Sequence, residues 1–162
     1  MKFLFRFLNL VLIAVCVYML IFSAFAFVPY KVLGVSMFPN VQHGDTCFSY
    51  NLFFFNQITL NRGDVVILDN KDKNLVKRII AIPGDHLVIT AGVVIVNGEL
   101  VRDLSLLFSH TAGKVDINLK PKEYFVLGDN RPASYDSRRM GPIKRDQILG
   151  RVFFKWHSPT NI

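Results

Sequence analysis

Little in this chain points to a cross-link or a metal. Two cysteines stand among 162 residues, Cys16 inside a long apolar run and Cys47 well outside it. The two are not expected to meet, so the fold must rest on its own core rather than on a disulfide framework. The four histidines, His43, His86, His110 and His157, lack ligand spacing, and neither a metal nor a cofactor is assigned. No periodic repeat and no low-complexity tract appears. Acidic residues are scarce, 12 against 19 Lys and Arg, for a net charge of +7. Such a surplus can serve nucleic acid, but no nucleic-acid motif accompanies it, so no such partner is expected. A basic face on anionic lipid headgroups fits the balance better.

The lipid reading follows from the N-terminus. After Lys2 and Arg6 the chain is almost unbroken in apolar residues over 7–28, with Asn9 and Ser23 the clearly polar side chains. About 22 residues match the roughly 20 that cross a hydrocarbon core. A signal peptide has a shorter apolar region, about 7–15 residues, which favours a retained anchor. Ala24-Phe25-Ala26 nevertheless has the small-x-small pattern that precedes cleavage, so self-processing stays open. Lys2 and Arg6 place the N-terminus in the cytoplasm and the body on the opposite side of a cytoplasmic membrane, with Lys31 a weak contrary signal. The expected division is residues 1–29 as N-terminus and single-pass anchor, and 30–162 as an extracytoplasmic domain.

Beyond the span helix signals almost vanish, and β-branched or apolar runs recur between Gly, Pro, Asn and Asp. Strands are predicted at 46–50, 65–68, 75–82, 86–90, 93–96, 100–102, 115–119, 123–127 and 149–156. The fold class is mainly β, one N-terminal membrane helix followed by an antiparallel body. Residues 70–74 read as a hairpin tip, and Asn97-Gly98 as a type I′ turn. Leu52-Phe53-Phe54-Phe55 cannot send every ring into one core from one strand. It is either a loop folded back on the body or a tip that dips into the membrane.

Chemistry concentrates in four segments: Gly34-Val35-Ser36-Met37-Phe38-Pro39; Arg62-Gly63-Asp64-Val65-Val66; the run from Val76-Lys77-Arg78 to Pro83-Gly84-Asp85; and Gly128-Asp129-Asn130-Arg131 through Ser134, Asp136, Ser137 and Arg138 to Gly141-Pro142. Taken alone, a serine before an apolar residue and proline is commonly a turn, and a strand with two cations is commonly a solubilised edge. Neighbours in a strand point to opposite faces, so Lys77 and Arg78 must occupy different environments. A serine needs a base, and a lysine held neutral by burial can be one. The charges at Asp129, Arg131, Asp136 and Arg138 can brace such a lysine, or form a salt-bridged surface turn.

In this order behind a single anchor, the four segments resemble the bacterial type I signal peptidase family. The resemblance covers the anchor, 33–41, 63–68, 75–85 and 127–141, with 148–154 as a weaker tail. It implies an endopeptidase that removes signal peptides from exported preproteins after an Ala-x-Ala type site, using an extended groove in a β body. Ser36 would be the nucleophile and Lys77 the general base. Ser134 would orient the lysine, and Arg78 with Asp129 and Asp136 with Arg138 would be ion pairs around them. The Ser36 N–H would donate to the oxyanion. Where some members place a serine hydroxyl as second donor, this chain has Gly34, leaving a backbone N–H or water for that role. Met37, Val41, Leu75 and Val76 match positions lining the pockets for small substrate residues. Asn40-Val41 replaces the family's usual threonine-leucine, and Pro132-Ala133 replaces polar residues. The short stretch between Asp85 and Tyr124 resembles compact members. Preproteins and membrane lipid are the expected partners, with a monomer acting alone. A pilin-maturing peptidase of conjugative transfer, or an inactive peptide-binding β module, are the alternatives.

Overall fold

The computed structural model describes residues 2–71, 73–101 and 110–157. Helix α1 (Lys2–Ala26) is long and apolar enough to cross a membrane. It ends earlier than the apolar run, because Pro29 cannot continue a helix and disfavours helical geometry just before it. Phe27 and Val28 instead open strand β1 (Phe27–Lys31), which pairs antiparallel with β2 (Thr46–Asn51).

The body continues with β3 (Val65–Leu68), β4 (Leu75–Ala81), β5 (His86–Thr90), β6 (Val93–Val96), β7 (Glu99–Leu100), β8 (Val115–Asn118) and β9 (Glu123–Leu127), then the short helix α2 (Ser137–Met140), β10 (Ile143–Lys144) and β11 (Ile148–Trp156). Seven strands form one sheet in the order β1-β2-β11-β3-β4-β9-β10, and four form another in the order β7-β6-β5-β8. The expected strands are present within a residue or two at each end. The one expected at 100–102 contributes Leu100 to β7, while Arg102 lies outside the described residues. β1 and β10 were not expected. The β6–β7 turn has φ of 52° at Asn97 and 81° at Gly98, both positive as a type I′ turn requires. Val96 then faces Glu99. At the 70–74 tip, whose Asp72 lies outside the described residues, Leu68 faces Leu75.

Three apolar clusters hold the body. Val66, Leu68, Ile79, Val126 and Ile148 pack with Leu52 on one face of the large sheet. Ile80, Phe125 and Leu127 face Leu87, Ile89 and Val96 of the small sheet. Met37, Val41 and Cys47 form a third cluster that pins the segment after β1. Both readings of 52–55 find a counterpart. Leu52 is buried and the Phe54 and Phe55 rings lie 6.1 and 6.3 Å from Phe22 of α1, while Phe53 is 85% exposed.

Candidate active site

Lys77 sits in β4 between Val76 and Arg78, and the alternation of the strand separates the two cations as the sequence required. Lys77 is 2% exposed; Arg78 turns to the other face and meets Asp129. Ser36 arrives from the loop after β1, whose Met37 and Val41 are buried in the third cluster. Lys77 Nζ lies 2.9 Å from Ser36 Oγ and donates to the Val76 carbonyl, also at 2.9 Å. Burial brings the Lys77 ammonium down to about 8; Asp136 and Asp129 pull it back up and Lys73 pushes it further down. A lysine near 8 is partly neutral at physiological pH and can accept a proton from a hydroxyl in contact with it.

The charged loop after β9 surrounds this pair. Arg78 grips Asp129 with two bonds, Nε to Oδ1 at 2.8 Å and Nη2 to Oδ2 at 2.6 Å. Arg138 grips Asp136 likewise, at 2.8 and 2.9 Å, and the Gly128 N–H adds a third bond to that carboxylate at 3.1 Å. Burial pushes Asp136 up, but Arg138, the neighbouring Ser134 hydroxyl and the Gly128 N–H outweigh it and hold the carboxyl below its ordinary range. Ser134 is buried, and its hydroxyl lies beside Asp136 without the geometry of a formed hydrogen bond. It is not among the partners of Lys77 Nζ.

Gly128 makes the meeting possible. A Cβ there would fall 2.2 Å from Ser134 Oγ and 2.5 Å from the Ser36 carbonyl oxygen. Two asparagines also tie the serine loop to the charged loop. Asn130 donates through its N–H to Ser36 O at 2.9 Å and through Nδ2 to Val35 O at 3.1 Å, and Asn40 Nδ2 donates to Asp129 Oδ2 at 2.9 Å. The Lys155 ammonium of β11 donates to the Asn40 carbonyl, and just after β11 His157 Nδ1 lies 2.7 Å from Asp45 Oδ1. Sequence reasoning assigned none of these four a role. Asn130 had a signal, its place inside Gly-Asp-Asn-Arg; the others make long-range bonds that no local pattern announces.

Ser36 and Lys77 open into a groove of about 450 Å³, walled by Leu33, Gly34 and Val35 on one side, Leu75 and Val76 on the other, and Tyr135. Met37 and Val41, expected to line it, are instead 1% and 4% exposed and lie beneath it. Leu33, Gly34, Val35 and Ser36 form that wall instead. The Gly34 N–H donates to His43 Nδ1 at 3.0 Å, so it is already engaged. Cys16 and Cys47 are both free, and no group of His, Cys, Asp or Glu suited to a metal occurs among the described residues.

An antiparallel β body that closes a groove over a serine and a buried lysine has the architecture of a peptidase. The chain matches the family described as signal peptidase, peptidase S26, over residues 4–157. It is 39% identical over 141 residues to signal peptidase I V of Bacillus subtilis, covering 78% of this chain and 83% of that one. It is 33% identical over 171 aligned positions to signal peptidase I of Bacillus licheniformis, covering 96% and 91%. The fold is similar to a crystal structure of a signal peptidase I from Enterococcus faecalis, with a TM-score of 0.53 at 23% identity over 59% of this chain and 98% of that one. The chain therefore belongs to the signal peptidase family, the S26 peptidases, and is a serine endopeptidase.

Proposed function

We propose that this chain removes signal peptides from exported preproteins by a Ser36–Lys77 dyad, cutting after a small-x-small site. The observation that carries the reading is the 2.9 Å approach of a 2% exposed lysine to the serine hydroxyl. Neutral Lys77 takes the Ser36 proton as Oγ attacks the scissile carbonyl, and then returns it to the leaving amine. Water enters on the same base and releases the acyl group. The Ser36 N–H supplies one oxyanion donor; with the Gly34 N–H held by His43, the second comes from another group or a water. Ser134, buried beside Asp136, positions the lysine once substrate excludes water, and the ion pairs Arg78–Asp129 and Asp136–Arg138 keep the loop in place.

An extended peptide fits the groove beside Leu75 and Val76. Residues 1–29 hold the chain in the cytoplasmic membrane with Lys2 and Arg6 inside, and residues 30–162 work on the outer side. The exposed Phe53 and the Phe54 ring on Phe22 support a catalytic body seated against the bilayer. We infer that the chain acts as a monomer.

The test is cleavage of a preprotein with an Ala-x-Ala site by detergent-solubilised wild type, Ser36→Ala and Lys77→Ala proteins, with products weighed by mass spectrometry. Cleavage after the second alanine by wild type alone is the expected result. Cleavage retained by either folded variant would remove that residue from the mechanism.

A further inference from the structure

A second cavity, of about 500 Å³, lies apart from the groove. Its walls come from three separate stretches: Leu52 after β2, Lys122 and Glu123 at the start of β9, and Lys144, Arg145 and Asp146 at the end of β10. The Arg145 N–H donates to the Lys122 carbonyl at 2.9 Å, so the two cationic walls are fixed to each other by backbone rather than by mobile side chains. Among the described residues no ion pair engages Lys122, Lys144 or Arg145. Glu123 is partly occupied, taking the Lys120 N–H at 3.0 Å. With Asp146 also in the wall, the lining carries three cationic against two anionic side chains, a net of one positive charge.

The place of this cavity in the fold identifies the ligand. Leu52 is followed directly by the exposed Phe53 and by Phe54 and Phe55, whose rings rest on Phe22. Phe22 lies four residues before the end of α1, about 6 Å along the helix axis, within its apolar surface. The cavity therefore adjoins, through Leu52 and Asn56, the segment whose Phe54 and Phe55 rings rest on the C-terminal part of α1. We propose that it is a headgroup site for an anionic phospholipid. Lys122, Lys144 and Arg145 bind the phosphodiester, and Leu52 provides an apolar floor toward the acyl chains. The inference rests on the proposed anchoring by α1 but not on the dyad.

The test uses the full chain in an uncharged detergent and measures binding of short-chain phosphatidylglycerol and of phosphatidylcholine with the same acyl chains. Wild type is expected to prefer phosphatidylglycerol by about tenfold, the scale of one to two basic contacts with an anionic headgroup. Lys122→Gln with Lys144→Gln should abolish the preference. Lys71→Gln with Lys114→Gln, which removes the same charge outside the cavity, should keep it. No preference in wild type, or equal loss in both double variants, would overturn the site in favour of diffuse attraction. Inorganic phosphate bound as tightly as phosphatidylglycerol would make it a free-anion site and overturn the lipid assignment. Cleavage of a soluble peptide by the same samples reports the dyad separately, so loss of lipid preference with intact cleavage counts against the headgroup site alone.

Discussion

The two sheets bury opposite kinds of surface. The small sheet turns Leu87, Ile89, Val94 and Val96 onto Ile80, Phe125 and Leu127, an apolar cluster. The large sheet, where β4 and β9 end, buries Lys77, Asp129, Arg131, Ser134 and Asp136 close together. Its carboxylates are compensated, each by a two-bond arginine and further donors. Lys77 is not. Its bonds run to a hydroxyl and a carbonyl, neither of which carries a charge to offset the ammonium. A buried cation with no directly bonded carboxylate weakens a fold and gives up its proton more easily, even with Asp136 and Asp129 near enough to pull the other way. The small sheet carries stability, and the large one spends some of it on chemistry.

The sharpest way to break this comparison is Lys77→Met, which keeps the volume and deletes the charge. Cleavage of the preprotein should fall by about 10³-fold or more, because the serine loses its base. Stability should move the other way. The lowering of the ammonium to about 8 corresponds to a folding cost of roughly 3 kcal/mol below that pH, so the variant should gain about 2 kcal/mol in urea unfolding at pH 7. Activity loss accompanied by destabilisation would mean that Lys77 is a structural cation and that the contrast between the sheets is false.

Gly128→Ala is the next largest. The added methyl would sit 2.2 Å from Ser134 Oγ and 2.5 Å from the Ser36 carbonyl, and the second of these neighbours is backbone that cannot step aside cheaply. Moving Ser36 by an ångström should lower kcat by about 10²-fold with KM little changed. A normal kcat would show that the serine loop tolerates displacement, and would weaken the case that the glycine makes room for the pair.

The dependence on pH sharpens the same point. Only neutral Lys77 can act as base, and its proton leaves near pH 8. The rate should rise about tenfold per pH unit from 6 toward 8 and level off above. The folding cost runs in parallel: constant below about 8, it is relieved as pH rises from there toward the 10.5 of an unfolded lysine, so stability gains with pH across that window. A rate that falls between pH 6 and 9 would exclude Lys77 as the base.

Much of this was legible before any coordinates. The strands stood out because β-branched runs alternate with turn residues, and the Asn97-Gly98 pair announced a type I′ turn, whose positive φ values the structure has. The separation of Lys77 from Arg78 followed from alternation alone. What escaped notice lacked a local signal. β1 was hidden because its first residues prolong the apolar run of α1, and only Pro29 marks the change. β10 is two residues long. Met37 and Val41 were expected in the groove from the family resemblance, and a loop, unlike a strand, has no period to check which side chain faces inward; they sit in the third cluster with Cys47. Asn40 meets Asp129 across 89 residues, a bond set by tertiary folding.

The smallest expected effect on cleavage belongs to the apolar side of the comparison. Leu87 is 0% exposed and belongs to the cluster between the sheets, of which neither Ser36 nor Lys77 is a member. Leu87→Ala removes its packing and leaves a cavity between the sheets, at a cost of about 2–5 kcal/mol. Because the dyad is held by Gly128, Asn130 and the Arg78–Asp129 and Arg138–Asp136 pairs rather than by that cavity, cleavage per folded molecule should stay within about twofold of wild type. The measurement is kcat/KM at low temperature, corrected for the folded fraction from urea titration. A tenfold loss after that correction would show that strain in the small sheet reaches the dyad through Phe125 and Leu127 of β9, and the two regions would then have to be treated as one.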